Sequence, residues 1–430
     1  LSAALAPSWR LAAAAALAAV AVTGCGGGGV NTGPSTAGGP ASTATVTAPA
    51  VTVTQRATTT TPPATTAPPA TTTTRARPTK VSVAVQDDRL TGPTVPLGEI
   101  PARLDMVAAT GAKVARFDIL WSDVAPTRPA DEADPADPAY RWVRTDTTLR
   151  GYAARGITPI VSVYSTPAWA ADGPDAPPLG PISPRLPDAA AYGRFMSAIA
   201  RRYSGQVADA SGPLPRVRYW EVWNEPNIGV FLSPQSGDGG ARPAVERYVE
   251  LVRAAGPAVH RASPGSTVIA GVAGPRGTTG EDGTGAMDLM RAVAGAPDTE
   301  FDAWSQHLYP AAAPDEPTKA VPSWATLPDM LAELERLRPG TPMFITEAGY
   351  TTAPTPYRKV SVTEDEQARR LTAIFDLPLD PRQVPVIVWF NLQDNPAWPA
   401  GLLREDGAKK PSYAAFQAAV AAAVGKSPLP

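Results

Sequence analysis

Two short stretches carry residue types that could do chemistry together. The first is Arg218-Tyr219-Trp220-Glu221-Val222-Trp223-Asn224-Glu225-Pro226-Asn227, a strand-forming alternation that stops at Asn-Glu-Pro. Pro226 cannot donate to a sheet ladder, so the strand ends there and leaves Glu225 at its tip. The second is Met343-Phe344-Ile345-Thr346-Glu347, a shorter apolar run that also delivers a carboxylate at its end. Two carboxyl groups facing each other could protonate a leaving oxygen and attack or activate water across a glycosidic bond. That work needs one carboxyl protonated and the other ionised, so their surroundings must differ.

Carboxylates so distant in sequence meet only if the fold gathers strand tips. Strand-like runs occur at 81–85, 113–119, 157–164, 217–223, 267–272, 301–307, 342–346 and 384–391. Helix-like stretches lie between them at 101–110, 145–155, 188–203, 243–262, 286–294, 323–337 and 363–375, with a last one at 412–424. Alternation of this kind predicts a single (β/α)8 TIM barrel over 79–430, with functional groups at the C-terminal tips of the strands. No Gly-rich phosphate loop follows the first strand, which disfavours a doubly wound sheet. Runs such as Pro385-Val386-Ile387-Val388-Trp389-Phe390 suit parallel strands buried on both faces.

Read tip by tip, the barrel gathers polar and aromatic groups at one end. The second strand contributes Arg116 and Asp118, the third Tyr164, then Trp169, and the fourth Asn224 and Glu225. The sixth gives His307 and Tyr309, the seventh Glu347, the eighth Trp389 and Asn391. Arg116 is expected beside Glu347, keeping it ionised and lowering its pKa. Tyr309 is expected to donate to the same carboxylate. Asn224 could hold a sugar hydroxyl, and Trp389 could offer a ring face to a pyranose. Trp121, Trp169 and Trp398 could line outer sugar subsites or pack the loops.

The combination resembles the clan A glycoside hydrolases. Tyr219-Trp-Glu-Val-Trp-Asn-Glu-Pro-Asn227, Tyr164-Ser-Thr-Pro-Ala-Trp169 and Arg116-Phe-Asp118 look most like glycoside hydrolase family 39. Family 5 is next nearest, through His307-Leu-Tyr309. The resemblance implies a retaining glycosidase with Glu225 as acid/base and Glu347 as nucleophile, acting on a β-linked polysaccharide or oligosaccharide. A retaining pair implies carboxyl groups about 5–5.5 Å apart; an inverting pair sits at about 6.5–9.5 Å. No appended β-sandwich is read beyond Ala421, which favours endo action on a polysaccharide over a xylosidase. The rival expectation is a non-catalytic, carbohydrate-binding surface lipoprotein on the same scaffold.

The remaining features concern address and partners. Arg10 precedes a short apolar run at 11–22, too short to span a bilayer and suited to a signal peptide over 1–24. Val22-Thr23-Gly24-Cys25 resembles a bacterial lipobox, making Cys25, the one Cys of the chain, the expected lipidation site. Residues 25–78 are Gly/Thr/Pro-rich and too poor in apolar groups to fold, so they read as a disordered tether. The expected location is the outer surface of a bacterial membrane, held by the lipid at Cys25. A net charge of −2 and a pI near 5.9 exclude a basic nucleic-acid face. No His/Cys cluster suggests zinc, and Asp131 to Asp137 match no calcium loop. No metal or cofactor is expected, and a monomer is.

Overall fold

In the computed structural model, residues 80–172, 182–356, 358–423 and 429 are described. The signal segment, Cys25 and the tether to residue 78 lie outside them. Eight parallel strands form a closed barrel: β1 Ser82–Gln86, β2 Val114–Leu120, β3 Thr158–Tyr164, β4 Tyr219–Val222, β5 Thr267–Ala273, β6 Ala303–Leu308, β7 Met343–Ala348 and β8 Val386–Phe390. Each pairs with its sequence neighbours, and β1 closes on β8 from Ser82↔Val386 to Gln86↔Phe390. Each strand is followed by a helix: α1 Ile100–Ala109, α2 Val143–Ala154, α3 Ala189–Arg202, α4 Pro243–Ala262, α5 Ala286–Ala294, α6 Leu327–Leu337, α7 Glu364–Asp376 and α8 Pro411–Ala423.

Alternation along each strand sorts the core into two parts. Ala84, Val114, Ile160, Tyr219, Ile269, Ala303, Phe344, Val386 and Val388 form one apolar cluster inside the barrel. Their outward neighbours, such as Val85, Ala115, Val161, Trp220 and Ile387, join the larger core between strands and helices. Two residues further along the inward face, the interior turns polar. Arg116, Ser162, Glu221, Ser305 and Thr346 are all fully buried there. Ser162 donates to Trp223 O at 2.8 Å, and the Ser305 and Thr346 hydroxyls bond each other.

Helix boundaries follow local chemistry. Asp188 caps α3 by accepting from Ala191 N at 2.7 Å, and Thr363 caps α7 by accepting from Glu366 N at 3.1 Å. The stretch read as helical from 323 begins at Leu327 instead. Ser323 and Thr326 exchange side-chain-to-backbone hydrogen bonds (3.1 and 3.2 Å) that satisfy the free donors ahead of the helix. A two-strand hairpin, Ala208–Asp209 with Gly212–Pro213, adds to the expected elements. Among the described residues no helix is long and apolar enough to cross a membrane.

Candidate active site

Irregular backbone at three strand ends aims the site. β7 carries a register shift: Ser305↔Phe344 is followed by His307↔Glu347, so β7 holds one extra residue. Phe344 and Thr346 face inward by alternation, and the bulge turns Glu347 inward as well. After β4, Trp223 (φ 70°) and Glu225 (φ 41°) occupy the left-handed region, as does Val272 (φ 42°) in β5. Each such conformation costs about 1–3 kcal/mol for a non-glycine residue and persists only where surroundings enforce it. Here Trp223 N donates to Val163 O at 3.2 Å and its indole to Phe231 O at 3.0 Å. Glu225 N donates to Val272 O at 2.9 Å, tying one strained residue to the other.

The centre of the cluster is Arg116, fully buried on β2. Its Nε donates to Glu221 Oε2 (2.6 Å), its Nη2 to Asn224 Oδ1 (2.7 Å), and its Nη1 to Gln86 Oε1 (2.8 Å) and Glu347 Oε1 (2.7 Å). Asp118 Oδ1 lies 3.1 Å from the same Nη1, and Asp118 Oδ2 accepts from Gln86 Nε2 (3.0 Å) and Tyr164 OH (3.2 Å). One guanidinium thus faces three carboxylates in a water-poor interior, a geometry only its planar fork can serve.

Glu225 and Glu347 are both 8% exposed. Tyr309 OH donates to Glu347 Oε2 at 2.7 Å, so both oxygens of Glu347 are engaged. The Glu225 carboxyl has one hydrogen-bond partner among the described residues, His307 Nδ1 at 2.8 Å from Oε1. One oxygen of each carboxyl and the His307 nitrogen all lie within 4.8 Å of one another. Burial raises the Glu225 pKa to about 8, with Arg116 only partly opposing it. Burial also raises Glu347, against the pull of Arg116. Arg116 pulls the Glu347 pKa down as expected, but desolvation outweighs the cation and the net shift is upward. Burial keeps His307 neutral by lowering its pKa, and it raises that of Asp118. The triad Glu225, His307 and Glu347 has donor types that suit a cation. Arg116 and Tyr309 each donate to one Glu347 oxygen, and the guanidinium brings a positive charge to it.

Arg116, Asp118, Tyr164, Asn224, Glu225, His307, Tyr309 and Glu347 are brought together. Three other residues are placed differently. Trp389 is fully buried and faces outward into the helix-side core, its indole donating to Ala400 O at 3.1 Å. It offers no open ring face, because alternation on β8 points Val386, Val388 and Phe390 inward instead. Trp169 packs edge-on against Trp121 (centroids 5.5 Å apart) beneath Arg128 and donates to Ala125 O at 2.7 Å, within a loop cluster of its own. Asn391 Oδ1 accepts from Asp88 N (3.3 Å) and Leu392 N (2.7 Å), bracing the end of β8 against the segment after β1. Gln86 and Glu221 belong to the cluster and were not anticipated. Their signal is parity: each is a polar residue at an inward position of a buried strand.

No family model matches the chain, and no curated protein matches it by sequence. Solved structures do match its fold. A family 39 glycoside hydrolase from the gut symbiont Bacteroides cellulosilyticus superposes with a TM-score of 0.56 at 19% identity, over 79% of this chain and 64% of that one. A monomeric β-xylosidase from Caulobacter crescentus gives 0.55 at 19% identity, over 80% and 68%. GH5_18 from Streptomyces cattleya, solved with GlcNAc, gives 0.56 at 17% identity, over 82% of each chain. At these identities the likeness carries the barrel fold. The chain spans less than two thirds of the first of them.

Proposed function

We propose that this protein is a retaining glycoside hydrolase that cleaves O-glycosidic bonds in a β-linked polysaccharide or oligosaccharide. The observation that carries the reading is the pair Glu225 and Glu347, from β4 and β7, with oxygens within 4.8 Å and unequal surroundings. So close an approach of one oxygen from each suits the narrow carboxyl separation of a retaining pair better than the wide one of an inverting pair. The carbohydrate-active names of the structural neighbours support the class.

In this reading Glu347 is the nucleophile. Arg116 and Tyr309 both donate to it, which favours its charged form over that of Glu225. Glu225 is the acid/base. With neutral His307 donating from Nδ1 to Oε1, Oε2 is left to carry the proton of Glu225. Glu347 attacks the anomeric carbon as the glycosidic C–O bond breaks, and Glu225 gives its proton to the departing oxygen. Glu225, now ionised, takes a proton from water, the hydroxide oxygen attacks the anomeric carbon, and Glu347 leaves. Asn224, held by Arg116, is placed to meet a sugar hydroxyl.

The test is hydrolysis of aryl β-glycosides and β-linked polysaccharides by the wild type, Glu225→Gln and Glu347→Gln. Loss of turnover in Glu347→Gln, and in Glu225→Gln on substrates with poor leaving groups, supports the reading; unchanged turnover in both variants removes it. Export and lipidation at Cys25 are part of the same proposal and rest on the sequence around that residue. Labelled palmitate should enter the wild type and not Cys25→Ser.

A further inference from the structure

Asn227, two residues beyond Glu225, is fully buried and touches neither Arg116 nor Glu347 by any hydrogen bond. Its side chain is spent on the loop that follows β5, residues 274–285. Asn227 Oδ1 accepts from Gly274 N at 2.7 Å, and Nδ2 donates to Gly274 O at 3.2 Å and to Thr284 O at 3.0 Å. Its backbone oxygen accepts from Thr284 N at 2.9 Å. One amide thus ties both ends of the β5 loop to the turn that carries Glu225. Such bidentate pairing fixes direction as well as distance.

The loop is held this close for a visible reason. A Cβ on Gly274 would lie 3.0 Å from Glu225 Cδ and 2.4 Å from Ile228 Cδ1. The bare backbone of Gly274 therefore packs directly against the back of the Glu225 carboxyl group. His307 limits that carboxyl on one side, with its single polar contact, and Gly274 backs it on another. The Glu225 carboxyl has no further hydrogen-bond partner among the described residues, so its position depends on what it leans on.

We infer that Asn227 is a positioning residue for Glu225, acting through Gly274 to hold the carboxyl at the point where it meets the leaving oxygen. The inference rests on the assignment of Glu225 as acid/base. Misplacing a catalytic group by about 1 Å can cost on the order of a hundredfold. The cost falls on substrates that need a proton, since general acid catalysis contributes most where the leaving group is poor.

The experiment uses the full chain carrying Asn227→Ala or Gly274→Ala, with Glu225→Gln as reference. kcat/KM is measured for dinitrophenyl and phenyl β-glycosides of glucose, xylose and mannose. Each variant is also crystallised. Asn227→Ala should lose about 10- to 100-fold on the phenyl glycoside while the dinitrophenyl glycoside changes little. In the crystals the Glu225 carboxyl should have left its contact with His307 Nδ1. Gly274→Ala keeps the Asn227 amide and adds only a methyl group, so it separates carboxyl placement from loop stability. It should show the same split. Equal losses on both leaving groups in Asn227→Ala, or a Glu225 that stays on His307 in the crystal of that variant, would overturn the inference. If Glu225→Gln itself shows no dependence on leaving group, the acid/base assignment fails instead. The crystallographic arm still decides whether Asn227 and Gly274 place the carboxyl.

Discussion

Glu225 and Glu347 approach a single nitrogen: His307 Nδ1 lies 2.8 Å from Glu225 Oε1 and 3.5 Å from Glu347 Oε2. The two carboxyl groups are equally exposed and both are shifted upward by burial. Their difference lies in what donates to them. Glu347 receives a charged guanidinium N–H and a phenol O–H; Glu225 receives at most one neutral imidazole N–H. Hydrogen bonds from a charged donor are about twice as strong as neutral ones, so the ionised form is favoured at Glu347 and the protonated form at Glu225.

A bell-shaped pH dependence of kcat/KM follows. In the proposed mechanism Glu225 acts while protonated, so activity should fall as pH rises through about 8. In that mechanism Glu347 acts while ionised, and its raised pKa puts the acidic limb above the 4.5 of an ordinary Glu. The profile on a phenyl β-glycoside checks both limbs. In Glu225→Gln the basic limb should vanish for a dinitrophenyl substrate while the acidic limb stays. A basic limb unchanged in that variant would assign it to another group.

Tyr309→Phe removes one of the two donors to Glu347 and leaves the ring in place. A hydrogen bond to a charged group is worth about 1.5–3 kcal/mol, so kcat/KM should fall by roughly ten- to a hundredfold. The carboxyl, less well supported when ionised, should titrate higher. The acidic limb should then move upward and the basic limb should not move. Movement of the basic limb instead would place Tyr309 with the acid.

Arg116→Met strips the buried cation from Glu221, Asp118 and Glu347. Breaking a buried ion pair from one side costs about 3–5 kcal/mol, because the partner stays desolvated and unpaired. Thermal unfolding should show a Tm lower by several degrees together with loss of turnover. The sign of the pH dependence is fixed by linkage. Without the cation, Asp118 and Glu347 titrate still further above their unfolded values. Below about pH 4 they are protonated in both states and the deficit is small; it grows as pH rises toward their folded pKa values. A deficit that is flat between pH 4 and pH 8 would contradict this.

The barrel was readable because strands buried on both faces leave near-continuous apolar runs, and eight of them alternate with helical stretches. Each observed strand lies within a residue or two of its expected place. Glu225 and Glu347 were readable because each ends such a run. What lay inside the strands was harder to see. Glu221 looks like one polar step of an ordinary alternation, and its meaning appears only when Arg116 from β2 packs against it. Gln86 is hidden in the same way. Trp389 misled because position near a strand tip was weighed above parity; one residue further on, the chain faces the mouth. Asn227 could not be read at all, since its partners Gly274 and Thr284 come from a loop without a pattern.

Which aromatic ring meets the sugar separates those two criteria. Trp389 is fully buried, while Trp398 is partly exposed and stands edge-on to Tyr309 (centroids 5.0 Å apart) and to Phe390 (6.4 Å). Tyr309 in turn donates to Glu347, so Trp398 packs one ring away from the proposed nucleophile. Trp398→Ala should raise KM two- to tenfold with kcat less affected, in line with the ~0.5–1.5 kcal/mol of an aromatic contact. Trp389→Phe removes the indole that bonds Ala400 and part of the helix-side core, so it should lower Tm. A truncation to Ala there would cost about 3–5 kcal/mol. KM of the folded Trp389→Phe enzyme should match the wild type. If KM rises in Trp389→Phe and not in Trp398→Ala, the ring facing the sugar is Trp389, and β8 must twist its alternation by one residue when substrate binds.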